Sequence, residues 1–386
     1  MGMRLTGRVV TPDGVLDPGQ VDIEGDRVTA VGAAGEAGDG EAGDGEAGER
    51  HWLVPGFVDI HVHGGGGHTF TTGDAAAARE VARFHLRHGT TTMLASLVSS
   101  PYQVMRRATE AFRPLVGEGV LAGIHFEGPY LSELRCGAQN PAHLRDPDLG
   151  ELAELVALGQ GAVRMVTLAP ERPGAVAAVR LLAGHGVVAA VGHTDATYEQ
   201  TQAAVAAGAR VGTHLFNGMR PPHHREPGPV FALLGAAGSA DARGVVCELV
   251  ADGVHLHDGT LAFAAAVAGP DRTALVTDAM AAAGMPDGEY ELGGQTVVVA
   301  GRVARLARNG AIAGSTLTMD AALRGAVRAG LSIVDAVRAA ATTPARTIGL
   351  GAEVGALAAG RRADIVELDE ELRVVRVMRA GAWQAG

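Results

Sequence analysis

Residues 54–60 read VPGFVDI, a short apolar run without polar alternation, and the chain returns to that texture seven more times. The later runs are TTTMLAS (90–96), VLAGIHFE (120–127), VRMVTLA (163–169), VVAAVGH (187–193), ARVGTHLF (209–216), VVCELVADG (245–253) and TALVTDAM (273–280). Longer stretches of helical character separate them, for example Asp74 to His88, and Glu199 to Ala207 behind a Thr197 cap. A strand apolar on both sides is buried on both faces, and its alternation with helices implies a parallel sheet. Eight such units predict an α/β fold, a (β/α)8 barrel over residues 53–350.

Outward from the barrel the pattern changes. RLTGRVVTPDG and GQVDIEGDRVTAVG alternate apolar and polar residues between Gly, Pro and Asp turns, the habit of a half-buried antiparallel sheet. The tail GRRADIVELDEELRVVRVMRAG (360–381) has the same habit. A small β-sandwich domain built from residues 1–52 and 351–386 is therefore expected beside the barrel, because the two ends of a domain commonly lie close together. Residues 35–49, GEAGDGEAGDGEAGE, contain nothing that builds a core and read as a disordered acidic loop. The segment near 289–305 reads as a hairpin inserted after the eighth barrel strand.

Composition narrows the function. A net charge of -11 disfavours a nucleic-acid or anionic-membrane surface. No apolar run of about 18 residues appears and the first residues lack a signal-peptide layout, so a cytoplasmic protein is expected. With Cys136 and Cys247 the only cysteines, neither a disulfide framework nor a Cys-rich metal cluster is available.

Barrel enzymes work at the C-terminal ends of their strands, and polar residues fall there in this chain. His61 and His63 follow the first run, Glu127 ends the third, His193 the fifth and His214 the sixth, His255 follows the seventh and Asp278 ends the eighth. Imidazoles and carboxylates are ligand types that zinc, iron or a similar divalent ion accepts. Residues i and i+2 of an extended segment point to one side, so His61 and His63 can reach a single ion. Glu127 is a carboxylate in an apolar setting, where only a cation or a metal offsets its burial. GlyGlyGlyGly at 64–67 lacks a following Gly-Lys and reads as a loop past these ligands, not as a phosphate cradle.

The motifs VPGFVDIHVHGGGG, HFEGPYL, VGHTDAT, GTHLFNGM, VADGVHLH and VTDAM resemble, in order, those of the N-acetylglucosamine-6-phosphate deacetylases of the amidohydrolase superfamily. HFEGPYL and THLFNGM carry most of the likeness. The resemblance implies that Glu127, His193 and His214 bind the main metal and that His61 and His63 add a second site with Glu127 as bridge, one or two zinc or iron ions per subunit. It implies Asp278 as general base and then acid; His255 is our candidate for a hydrogen bond to the oxyanion or to a sugar hydroxyl. Gln139, Asn217, Gly218, Arg225, Ile312, Ala313 and Gly314 are implied in binding a sugar phosphate, with Arg225 shared across a homodimer. Cys136 falls in the expected lid after HFEGPYL, where an inert thiol is favoured over a redox role.

One departure stands out: many family members have histidine where this chain has Gln139, which can hydrogen-bond but carries no charge. It keeps the N-acetylgalactosamine 6-phosphate reaction open beside the glucosamine one. Cyclic amidohydrolases also begin with His-x-His but usually bridge their metals with a carboxylated lysine, and this chain contains no lysine. A non-catalytic sugar-phosphate sensor would have eroded ligands or base, whereas all of them are present.

Overall fold

Val, Leu, Ile and Ala dominate the apolar runs, and each run forms a strand that is buried almost throughout. The structure is a computed structural model and describes residues 2–35, 51–237 and 244–384. The acidic repeat beyond Gly35, expected to be disordered, lies outside the described residues.

The chain opens with β1 (Gly2–Thr11), β2 (Gly14–Glu24), β3 (Arg27–Ala33) and β4 (Trp52–Pro55), and then enters the barrel at β5 (Phe57–Asp59). A short hairpin, β6 (Gly64–Gly65) and β7 (His68–Thr69), follows the first barrel strand. The other barrel strands are β8 (Thr90–Leu97), β9 (Gly123–Glu127), β10 (Val163–Leu168), β11 (Val188–Val191), β12 (Val211–Gly212), β13 (Val246–Leu249) and β14 (Thr273–Leu275). They pair in parallel in the order β14-β13-β12-β11-β10-β9-β8-β5. The ring closes just past the strand ends, where Asp278 N donates to His61 O at 2.9 Å and His63 N donates to Ala279 O at 2.8 Å. The closing seam therefore runs through predicted site residues.

Helices α1 (Ala75–Arg87), α2 (Tyr102–Gly117), α3 (Leu149–Gly159), α4 (Ala175–Gly184), α5 (Tyr198–Ala207), α6 (Gly228–Leu234), α7 (Asp258–Ala268) and α8 (Met319–Arg328) alternate with the strands. The sequence signals act where expected. Asp74 caps α1 by accepting from the amides of Ala76 and Ala77, and Thr197 exchanges hydrogen bonds with Gln200 in a capping box on α5. Among the described residues no helix is long and apolar enough to cross a membrane.

The predicted hairpin is a three-stranded meander: β15 (Gly288–Leu292), β16 (Gln295–Ala300) and β17 (Val303–Leu306). The third strand joins because Ala304 and Leu306 pack with Val297 and Val299 in a core of their own. The tail supplies β18 (Ile365–Leu368), β19 (Val374–Arg379) and β20 (Ala382–Trp383). These join the N-terminal strands in a seven-stranded sheet ordered β20-β19-β18-β4-β1-β2-β3. Leu5, Val9, Val21, Ile23, Leu53, Ile365 and Met378 form its separate core, so both chain ends build the small β unit.

Candidate active site

The strand ends bring His61, His63, Glu127, His193, His214 and Asp278 together in a buried cluster. Three of them bend the backbone sharply: His193, His214 and Asp278 have φ of 45°, 27° and 49°. Left-handed φ at a residue with a Cβ costs of order 1–3 kcal/mol and gathers at functional sites, because the turn re-aims a side chain that the strand would point elsewhere.

The ring nitrogens test whether a metal fits. His61 Nδ1 lies 2.9 Å from Glu248 Oε2, His63 Nδ1 3.1 Å from Ser96 O and His193 Nδ1 2.8 Å from Arg135 O. All three partners are acceptors, so each Nδ1 donates and, in the neutral imidazole that a metal requires, each Nε2 keeps a lone pair. The lone pairs converge. His61 Nε2 and His63 Nε2 are 3.1 Å apart, as are His193 Nε2 and His214 Nε2, and Glu127 Oε1 lies 3.1 Å from His193 and 2.9 Å from His214. Among the described residues no partner fixes the tautomer of His214, whose Nε2 can donate, but acceptors as close as the Nε2 atoms of His61 and His63 repel unless a cation or proton stands between them. Two ligand groups emerge, His61–His63–Glu127 and Glu127–His193–His214, with Glu127 common to both. The donor set suits a divalent metal ion.

Electrostatics agree with that reading. Burial disfavours the imidazolium of His61, yet Glu248 and Glu127 overcome it and hold the pKa well above the usual histidine range. Burial opposes charge on His63 too, but hydrogen bonds to Asp278 and Glu127 raise it to about 9. Glu127 and Asp278 are driven down in spite of burial, by the surrounding histidines, and stay ionised. The pocket is built for positive charge.

Asp278 Oδ1 lies 3.3 Å from His63 Nε2 and 3.6 Å from His61 Nε2, and its Oδ2 lies 3.8 Å from His255 Nε2. His255 is steered by Asp252, whose Oδ2 is 2.6 Å from His255 Nδ1 while Oδ1 accepts the amides of Val254 and His255. Burial works against the imidazolium, but Asp252 outweighs it and raises the pKa. In the imidazolium form that Asp252 favours, Nε2 of His255 is a donor, and it faces a cavity of about 220 Å³.

That cavity is lined by His63, Glu127, His193 and His214, by Asp278, His255, Gln139, Asn217, Gly218, Ile312 and Gly314, and by Val98, Gly137, Ala138, Leu292 and Ala311. Gln139 spans two groups: its Nε2 donates to Glu127 Oε2 at 2.6 Å and its Oε1 accepts from Ser99 N at 2.7 Å. Cys136, a half-exposed free thiol, precedes Gly137 on the same segment. Two expected substrate contacts are not brought to the cavity. Ala313 turns into the core of the meander, its amide donating to Ala304 O at 3.0 Å. Arg225 is exposed and donates to His224 Nε2 at 2.7 Å.

The sequence reading missed Asp252 and Glu248. Asp252 sits in VADGVHLH three residues before His255, a spacing that could have marked it as the histidine's partner. Glu248 carried one signal, a carboxylate inside the apolar run VVCELV.

The amidohydrolase family model matches residues 52–383. This chain belongs to the amidohydrolase family. Among curated members, it is 39% identical over 339 residues to the N-acetylglucosamine-6-phosphate deacetylase of Lysinibacillus sphaericus, covering 86% of this chain and 84% of that one. It is 36% identical over 379 residues to the N-acetylgalactosamine-6-phosphate deacetylase of Escherichia coli O157:H7, covering 97% of each. A mutant N-acetyl-D-glucosamine-6-phosphate deacetylase from Mycobacterium smegmatis, solved in complex with N-acetyl-D-glucosamine-6-phosphate, shares the fold with a TM-score of 0.94 and 47% identity, covering 99% of both chains. The amidohydrolase resemblance drawn from the motifs therefore holds, as does the barrel with its terminal β unit.

Proposed function

We propose that this amidohydrolase hydrolyses the acetamide of N-acetyl-D-glucosamine 6-phosphate to D-glucosamine 6-phosphate and acetate, a step in amino-sugar catabolism and cell-wall recycling. The observation that carries the reading is the buried cluster of Glu127, His193, His214, His61 and His63 beside Asp278, at the mouth of a barrel whose curated relatives are sugar-phosphate deacetylases.

Glu127, His193 and His214 would hold one zinc or iron ion, and His61 and His63, with Glu127 between, a second. When bound, such an ion supplies Lewis-acid polarisation of the amide carbonyl and hydroxide at neutral pH. Asp278, ionised and poised among His61, His63 and His255, takes the proton of the attacking water on a carboxylate oxygen. It then returns that proton to the amide nitrogen, which cannot depart as an anion. His255, held by Asp252, presents Nε2–H to the developing oxyanion or to a sugar hydroxyl. Gln139 braces Glu127, and Asn217, Gly218, Ile312 and Gly314 wall the space for the sugar.

Phosphate recognition falls to Arg225 supplied by a second copy of the chain, because within one chain it stays on the surface; a homodimer belongs to this reading. A cytoplasmic setting also belongs to it, with the free thiols Cys136 and Cys247 in keeping.

The 4-epimer, N-acetylgalactosamine 6-phosphate, is the second reading, favoured by the Escherichia coli relative and by Gln139. Kinetics on the two phosphorylated sugars and on unphosphorylated N-acetylglucosamine decide. The expected order places the glucosamine phosphate first in kcat/KM, with loss of the phosphate costing on the order of 10,000-fold, as when a site built for a polar group meets a substrate lacking it. A preference for the epimer moves the assignment to the second reading. Turnover indifferent to phosphate overturns both.

A further inference from the structure

Glu248 lies on β13 inside the barrel wall and is wholly buried. A carboxylate there requires strong partners. Oε2 receives both of its hydrogen bonds, from His61 Nδ1 at 2.9 Å and from the backbone amide of His214 at 3.1 Å. Among the described residues Oε1 has no hydrogen-bond partner. The two donors come from different halves of the centre: His61 belongs to the group with His63 and Glu127, His214 to the group with Glu127 and His193. One carboxylate oxygen therefore grips both halves.

The grip on His61 is the selective one. Donation from Nδ1 to a carboxylate settles the tautomer, leaves Nε2 as a lone pair aimed at His63 Nε2, and makes that lone pair more basic. Asp59 holds only the backbone of His61, accepting its N–H at 3.2 Å. The grip on the His214 amide is a backbone contact that sets where the first group sits relative to Glu248. His193 and Glu127 have supports of their own in Arg135 O and Gln139.

We propose that Glu248 is the positioning residue that turns His61 into a metal ligand and so creates the second ion site of this barrel. The proposal rests on the two-ion reading above, and the test separates the two. Metal-free wild type, Glu248→Gln and His61→Gln are titrated with cobalt(II), followed by visible absorption and by electron paramagnetic resonance, with melting of the metal-free forms as the check on folding. Wild type takes up two equivalents and develops the spin-coupled signature of a pair sharing a bridge. Glu248→Gln keeps the affinity of the first equivalent, binds the second about 10–100-fold more weakly, and loses the coupling at two equivalents, as His61→Gln does. Should Glu248→Gln fail to fold, Glu248→Asp, which keeps the charge but shortens the reach, carries the same expectation. Two tight, coupled equivalents in the variant overturn the role of Glu248, and so does equal weakening of both. A single equivalent in wild type overturns the two-ion reading itself.

Discussion

At Gly218 the backbone has φ +59°, and an added Cβ would lie 2.7 Å from His193 Nδ1. Glycine stands there because the loop must pass the metal-ligand candidate at contact distance. Gly218→Ala should dislodge His193, breaking its 2.8 Å hydrogen bond to Arg135 O and weakening the first metal ion by about 10–100-fold. Competition against a chelator checks this, and unchanged affinity would contradict it. His255 makes a different forecast, about pH. Its pKa is raised by Asp252, so the Nε2–H donor is present below the raised pKa and is lost as pH rises through it. Asp252→Asn should move the alkaline limb of kcat to lower pH, and a pH–rate profile shows whether it does. At this scale His61, His63, Glu127, His193, His214 and Asp278 were legible because each ends or follows an apolar run. Glu248 was not, because its partner His61 is 187 positions away, and only barrel closure makes them neighbours. Ala313, implied by the resemblance as a substrate-binding position, sits between two cavity-lining neighbours with its own side chain in the meander core.

Helix α8 carries the forecast for an element. Asp320, in its first turn, is largely buried and meets Arg324 Nη1 at 2.9 Å and His88 Nδ1 at 3.4 Å. Burial would raise its pKa, but the neighbouring His88, with Thr318 and Arg324, brings it down to about 2. A depressed carboxylate contributes stability that is present above the unfolded value near 4 and is lost as pH falls toward 2. Asp320→Asn should therefore lower unfolding free energy at pH 7 by on the order of 2 kcal/mol, with the gap to wild type closing across that acid window. Denaturant melts at several pH values read it directly. The strands and their order were legible, since fully apolar runs alternating with helical stretches leave few arrangements other than a parallel barrel. The third strand of the meander was not: VARL is too short to announce itself, and it pairs because Ala304 and Leu306 complete a core that Val297 and Val299 leave half-built.

For the whole molecule, the seam where the barrel closes is also the centre. His61 and His63 from the first strand end meet Asp278 and Ala279 from the last across two backbone hydrogen bonds, so the contacts that close the ring also bring the candidate ligands together. Metal bound there should raise the melting temperature, because an ion that binds only the folded chain stabilises it in proportion to the logarithm of its concentration over Kd. Chelation should lower that temperature and restoration of zinc or iron should return it; a melt indifferent to metal would contradict the ligand assignment. The measurement that tests the central claim most directly is release of acetate and free amine from N-acetyl-D-glucosamine 6-phosphate by metal-replete wild type, chelated wild type and Asp278→Asn. The expected result is turnover by wild type, abolished by the chelator and recovered with zinc or iron, and reduced about 100- to 10,000-fold in Asp278→Asn at unchanged metal content. No acetate from the metal-replete wild type, or a wild-type rate from Asp278→Asn, would contradict it.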